Sequence, residues 1–196
     1  MLSWWAMVAL DLKALSPERP RPLRRREYDR LVALGLFGDE RVELLRGSLI
    51  EMSPADPPHA EAITRLDDAL SALRGRARVR VQQPFAASDD SEPEPDVAVV
   101  PSGDYSEGHP DRAYLLVEVA DPSLPKDRQL KAPVYAESGV QEYWIVNLVE
   151  RVVEVHRDPA AGAWRSVTRH ALGATLEPQA FPGLSLRVDD LLPRRR

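Results

Sequence analysis

Two acidic residues stand where a charge is costly. Asp96 follows Pro95 and heads the apolar run 97–100, and Glu118 lies within the apolar run 115–119. A carboxylate embedded in a buried strand must be paired, hydrogen-bonded or bound to a metal. If the two strands are neighbours, both groups converge on one point; otherwise each acid simply marks a strand end at the surface. Lys131, thirteen positions after Glu118, falls on a helix that must pack back across the strand just left. Metal-assisted hydrolysis of a phosphodiester needs a cation on the phosphoryl oxygen, an activated water and a positive group beside the transition state. Two carboxylates and a lysine can meet that need.

The elements that must position these groups follow from periodicity. Residues 27–36, with Tyr28, Leu31, Val32 and Leu34 on an apolar side and Gly35 near the end, predict a helix. Runs 41–45 and 48–52 flank Arg46-Gly47, the mark of a hairpin with a tight turn. Ala62, Leu66, Ala69, Leu70 and Leu73 form a helical stripe over 58–73, stopped at Gly75. Strands are expected at 79–86, 96–100 and 113–119, the last apolar nearly throughout, as for a central strand covered on both faces. A helix over 126–138 ends at Gly139, with Pro133 expected to kink it or to confine Lys131 to its first turn. Strands at 142–147, 152–156 and 164–169 follow, with a turn cluster from Asp158 to Gly162 and a coil holding one short strand from Pro178 onward. The order, α then several β, then α, then β, is that of an α+β or mixed-sheet domain.

Composition narrows the chemistry. The 196 residues, 43% hydrophobic and 29% charged, are enough for one well-buried core. The absence of cysteine excludes disulfides, thiolate nucleophiles and cysteine-held zinc. Any metal must then sit on carboxylates, imidazoles or carbonyls, which favours hard ions such as Mg²⁺ or Mn²⁺. A net charge of −5 argues against a surface that coats DNA generally, but leaves room for a local basic groove. The apolar stretch 2–10, with Trp4 and Trp5, has no basic n-region and is too short to span a bilayer, so it reads as an N-terminal arm of a cytoplasmic protein without a membrane partner. The expected organisation is an arm and Pro/Arg-rich linker over 1–26, a folded domain over 27–192 and a basic tail over 193–196. Arg24, Arg25 and Arg26 read as a solvated run, with phosphate contact as the alternative.

Arg41-Val42-Glu43-Leu44-Leu45-Arg46-Gly47, then Met52-Ser53-Pro54, then His59, resemble the opening of the Uma-type restriction-endonuclease family of bacterial proteins. Pro95-Asp96-Val97-Ala98-Val99-Val100 and Leu116-Val117-Glu118-Val119 resemble its central motifs, as do Asp127, Lys131, Tyr135 and Gly139-Val140-Gln141-Glu142-Tyr143-Trp144-Ile145-Val146. The resemblance runs in order from about Tyr28 to Leu192. It implies an α+β, restriction-endonuclease-like fold: a mixed β-sheet core flanked by helices, with additional antiparallel hairpins, in the PD-(D/E)XK nuclease superfamily. It further implies that Asp96 and Glu118 bind the metal, with the Val119 carbonyl as a further oxygen ligand and Glu43 as the remaining acid. The superfamily's usual lysine position, two after the glutamate, is Ala120 here; relatives carry it on the next helix, at Lys131.

The expected activity is that of a Mg²⁺- or Mn²⁺-dependent endonuclease on DNA, with RNA as the alternative substrate, acting as a homodimer for which Trp4 and Trp5 are a candidate contact. The competing reading is a non-enzymatic nucleic-acid-binding or assembly module that keeps the fold; a hydrolase of some other phosphate ester is a third. His59 is an additional candidate ligand or phosphate contact, and Lys126, beside Pro125, competes with Lys131. Tyr135 either holds Lys131 or fills the core, Asp127 caps a helix or bonds near the site, and Tyr143 and Trp144 read as packing. Asp121-Pro122-Ser123-Leu124 and Asn147 depart from the family pattern, which puts loop detail in doubt without removing a proposed ligand.

Overall fold

The computed structural model describes residues 17–194, so the proposed arm with Trp4 and Trp5, and its role in a dimer, lie outside the described residues. Helix α1 (Arg25–Ala33) leads into the hairpin β1 (Val42–Leu45) and β2 (Ser48–Glu51), then α2 (Pro57–Leu70). Six strands form one sheet in the order β3 (Arg78–Val81), β4 (Val97–Val100), β5 (Leu115–Ala120), β6 (Glu142–Asn147), β7 (Val152–Ala160) and β8 (Ala163–Ala171). Only β5 and β6 run parallel. Parallel neighbours need a crossover, supplied here by α3 (Leu124–Lys126), a π-helical segment (Asp127–Lys131) and α4 (Ala132–Glu137). A small pair, β9 (Thr175–Leu176) and β10 (Leu186–Arg187), precedes α5 (Val188–Leu191). The expected α+β architecture, a mixed sheet flanked by helices and hairpins, is the one observed.

Strand alternation divides the core. Val97, Val99, Val117, Val119, Trp144 and Val146 face α2 and α5, whereas Ala98, Val100, Leu116, Ala120, Tyr143 and Ile145 face α4. All six residues of β5 and of β6 are buried, as strands covered on both faces require. Glu118, between Leu116 and Ala120, therefore points to the α4 side. On the other side, α2 buries Ala62, Ile63, Leu66 and Leu70, and full burial of each leucine contributes about 2–3 kcal/mol. Asp56 caps α2 by accepting from the His59 N–H at 2.9 Å, and Pro57 and Pro58 occupy the first turn, where the missing donors cost nothing. His59 is thereby fixed at the mouth of the helix.

Several local expectations are revised. The helix expected over 58–73 tightens into a 3₁₀ turn at Ser71–Leu73. The strand expected to reach residue 86 stops at Val81: Gln82 still donates to the Asp96 carbonyl, but at φ 48° the chain leaves the extended conformation. The turn cluster from Asp158 to Gly162 shrinks to Ala161-Gly162, both at positive φ, and β7 and β8 extend to meet it. The tail from Pro178 holds the one short strand expected, β10, which pairs with β9 just before it, and adds the unexpected helix α5. Pro133 does interrupt the crossover helix, in a particular way. Its missing N–H and bulky ring cannot fit a regular α-turn onto residue 129, and the wider π-turn lies immediately before α4.

The Arg46-Gly47 turn, both residues at positive φ, forms the expected hairpin with Leu45 opposite Ser48. A two-way backbone bridge between Leu44 and Glu92 ties that hairpin to the segment leading into Asp96. The Glu92 side chain is buried with Oε2 unpartnered, 3.8 Å from the nearest Arg25 nitrogen. Burial, with Asp29 nearby, pushes its pKa up to about 7. A folded-state value above the unfolded one gives stability present below the unfolded pKa of 4.5 and lost as pH rises through about 7. Glu92→Gln should therefore raise Tm at pH 8, by about 1–3 kcal/mol of added stability, and change little at pH 4.5. Thermal melts at the two pH values check this; an equal effect at both would exclude the carboxyl's proton as the cause.

Candidate active site

Pairing of Val97 with Val117 extends by one step to set Asp96 opposite Glu118. Asp96 precedes β4 and is 7% exposed, while Glu118 is 4% exposed within β5. The backbone N–H of Val119 donates to Asp96 Oδ2 at 2.8 Å, and His59 Nε2 lies 3.1 Å from the same oxygen. The Gln82 amide is 3.4 Å from Asp96 Oδ1, and its backbone N–H donates to the Asp96 carbonyl at 3.0 Å. On the α4 face, Lys131 Nζ and the Tyr135 hydroxyl donate to Glu118 Oε1 at 2.8 and 2.7 Å. Their four-residue spacing puts them one turn apart on the same side. Tyr135 thus holds Glu118 rather than Lys131.

Glu43 joins from the hairpin. It is fully buried, with Oε1 2.9 Å from Lys126 Nζ and Oε2 3.0 Å from Lys131 Nζ, and Oε2 also accepts from the Glu94 N–H at 3.1 Å. Asp127 is buried and accepts from the Ser123 hydroxyl at 2.7 Å; Tyr143 and Trp144 pack on opposite faces of β6, as expected. Asn147 is buried and bonds Glu150 and Glu154, away from the carboxylate pair.

These groups surround a cleft of ≈ 480 Å³ lined by Asp96, Glu118, Val119, His59, Gln82, Lys126, Lys131 and loop residues from 51–56 and 121–127. Gln82 and Glu94 were not among the expected site residues, and Arg41 entered only as part of the opening motif. The Arg41–Glu94 pair spans 53 positions, and nothing in the side-chain pattern marks Gln82 as left-handed. A non-glycine residue at positive φ beside a cleft is a constraint of the kind found at functional sites.

The electrostatics of the site are set by burial and pairing. Burial pushes Glu118 up to about 8 despite Lys131 beside it. Burial would lower Lys131, but Glu118, Glu43 and Asp127 outweigh it and keep the ammonium charged. Burial would likewise raise Asp96 and Glu43. Instead His59 and the Val119 N–H hold Asp96 below its ordinary value, and Lys131 and Lys126 do the same for Glu43. His59 is held above its ordinary value, because Asp96 outweighs the effect of burial.

Seven carboxylic side chains line the cleft against three permanently charged basic ones, Arg41, Lys126 and Lys131. A phosphodiester entering such a cleft would be repelled without added cations. Among the described residues, no group of three or more carboxylates or imidazoles is gathered as a ready metal cage. Mg²⁺ does not require one: it keeps several waters and uses one or two carboxylates plus substrate oxygens. Among the described residues both side-chain contacts to Glu118 fall on Oε1, which leaves its second oxygen uncommitted there. The oxygen-donor set fits such an ion.

The family described as "Putative restriction endonuclease" (Uma2) matches residues 25–189. The crystal structure of "a putative nuclease belonging to DUF820" from Anabaena variabilis is similar over 87% of this chain and 97% of that one, with a TM-score of 0.67 at 19% identity. At that identity the likeness concerns the fold. No curated protein matches the chain.

Proposed function

This chain belongs to the Uma2 family, and we propose that it is a Mg²⁺- or Mn²⁺-dependent endonuclease that hydrolyses DNA phosphodiester bonds. The observation that carries this reading is the meeting of Asp96 and Glu118 from neighbouring strands in one cleft, with Lys131 on Glu118. Asp96, Glu118 and the Val119 carbonyl would hold the divalent ion, which supplies polarisation of a phosphoryl oxygen and a more acidic water. The remaining work belongs to the chain. The Val119 N–H and His59 orient Asp96, while Tyr135 and Lys131 fix the rotamer of Glu118. Lys131 places a positive charge under the site, where it stabilises the negative charge that grows on the phosphate. Glu43, with both oxygens engaged by lysines, acts through them rather than as a direct ligand. Cutting two strands takes two sites, so a homodimer is the assembly this reading implies.

Incubation of the purified chain with supercoiled plasmid tests the proposal. Nicking or linearisation is expected with Mg²⁺ or Mn²⁺ and should stop on chelation with EDTA. Plasmid that stays intact while still binding the protein would favour the non-enzymatic module instead. Among the described residues, no helix is long and apolar enough to cross a membrane.

A further inference from the structure

The two lysines of the cleft differ in how their donors are spent. An ammonium has three N–H groups. Those of Lys131 meet Glu118 Oε1 at 2.8 Å, Glu43 Oε2 at 3.0 Å and the Glu94 carbonyl at 3.5 Å, and its side chain is 2% exposed. Lys131 is saturated and sealed. Lys126 ends the short helix α3 before the π-segment, lines the cleft, and has a side chain 27% exposed. Among the described residues its one polar partner is Glu43 Oε1, at 2.9 Å. Two of its donors are free to meet a ligand, and Glu43 holds the head in place without using them.

We propose that Lys126 is the side chain that grips the substrate's phosphate directly, while Lys131 holds Glu118 and Glu43 in place and adds its charge through space without touching the substrate. The proposal rests on the nuclease reading above and adds to it the identity of the phosphate contact. The geometry also explains why Glu43 is buried between two cations: it sets the spacing of a sealed lysine and an open one. Arg41, the remaining permanent cation on the cleft, pairs with Glu94 through one nitrogen and has a side chain 46% exposed, with no fully buried carboxylate among the described residues to fix its head as Glu43 fixes that of Lys126.

The test is binding rather than cleavage. A fluorescein-labelled duplex oligonucleotide is titrated with the full chain in Ca²⁺, which neutralises the cleft's carboxylates, across a series of monovalent-salt concentrations. Each phosphate contact contributes about −0.9 to the slope of log K against log salt. Lys126→Gln is expected to weaken binding by about 3- to 10-fold and to flatten the slope by about one unit. Lys126→Arg should keep the slope. Lys131→Met should leave the slope unchanged while lowering Tm. An unchanged slope in Lys126→Gln, or a flattened one in Lys131→Met alone, would overturn the assignment. Absence of any duplex binding by the unaltered protein would overturn the nucleic-acid reading itself, and this inference with it. Normal binding with an unaffected Lys126→Gln would sink only the inference.

Discussion

Asp96→Asn is expected to leave the fold intact and to cut metal-dependent plasmid cleavage by about 100- to 1000-fold, the loss of several kcal/mol of charge stabilisation. The change is conservative in shape. An amide oxygen can still accept from the Val119 N–H that now reaches Asp96 Oδ2 at 2.8 Å. What disappears is the negative charge, which a divalent ion needs and which also holds His59 above its ordinary pKa. Burial opposes the charged form of Asp96, yet the hydrogen bonds from His59 and Val119 keep it ionised, so the site is built around that charge. Cleavage within about tenfold of the unaltered protein, with an unchanged melting curve, would remove Asp96 from the metal site.

The second large effect concerns stability. Lys131→Met keeps most of the volume of a fully buried side chain but removes the cation shared by Glu118 and Glu43. Breaking one side of a buried ion pair costs about 3–5 kcal/mol, which for a domain of this size lowers Tm by about 10 °C. Glu118, already pushed up to about 8 by burial, can relieve part of the penalty by taking a proton. Glu43 retains Lys126. Adding Glu118→Gln to Lys131→Met should therefore recover part of the lost Tm, since an amide needs no counter-charge. A calorimetric melt that is unchanged in Lys131→Met would show that the buried lysine does not hold the site together.

How far these features could be read in advance depends on the distance over which each is encoded. Strand β6 emerged from 142–147 because both faces are buried and the run is unbroken. The meeting of Asp96 and Glu118 was legible because a charge within an apolar run demands a partner. The contact between Lys126 and Glu43 was not, since it joins residues 83 positions apart and depends on how the hairpin folds back. Gln82 was hidden for a different reason. Its left-handed backbone falls just past the end of β3, and its type gives no warning. Pro133 announced a break in the crossover helix but not its form, because a kink and a π-turn both satisfy a missing donor. Helix α5, four residues long, is too short for any periodicity to register.

The proposed chemistry turns on Asp96 and Glu118 holding one divalent ion between them. Anomalous diffraction from a crystal soaked in Mn²⁺ tests it most directly. A peak is expected within bonding distance of both carboxylates, with Lys131 still on Glu118. A fully soaked crystal with no peak there, or with Mn²⁺ bound only elsewhere on the chain, would contradict it.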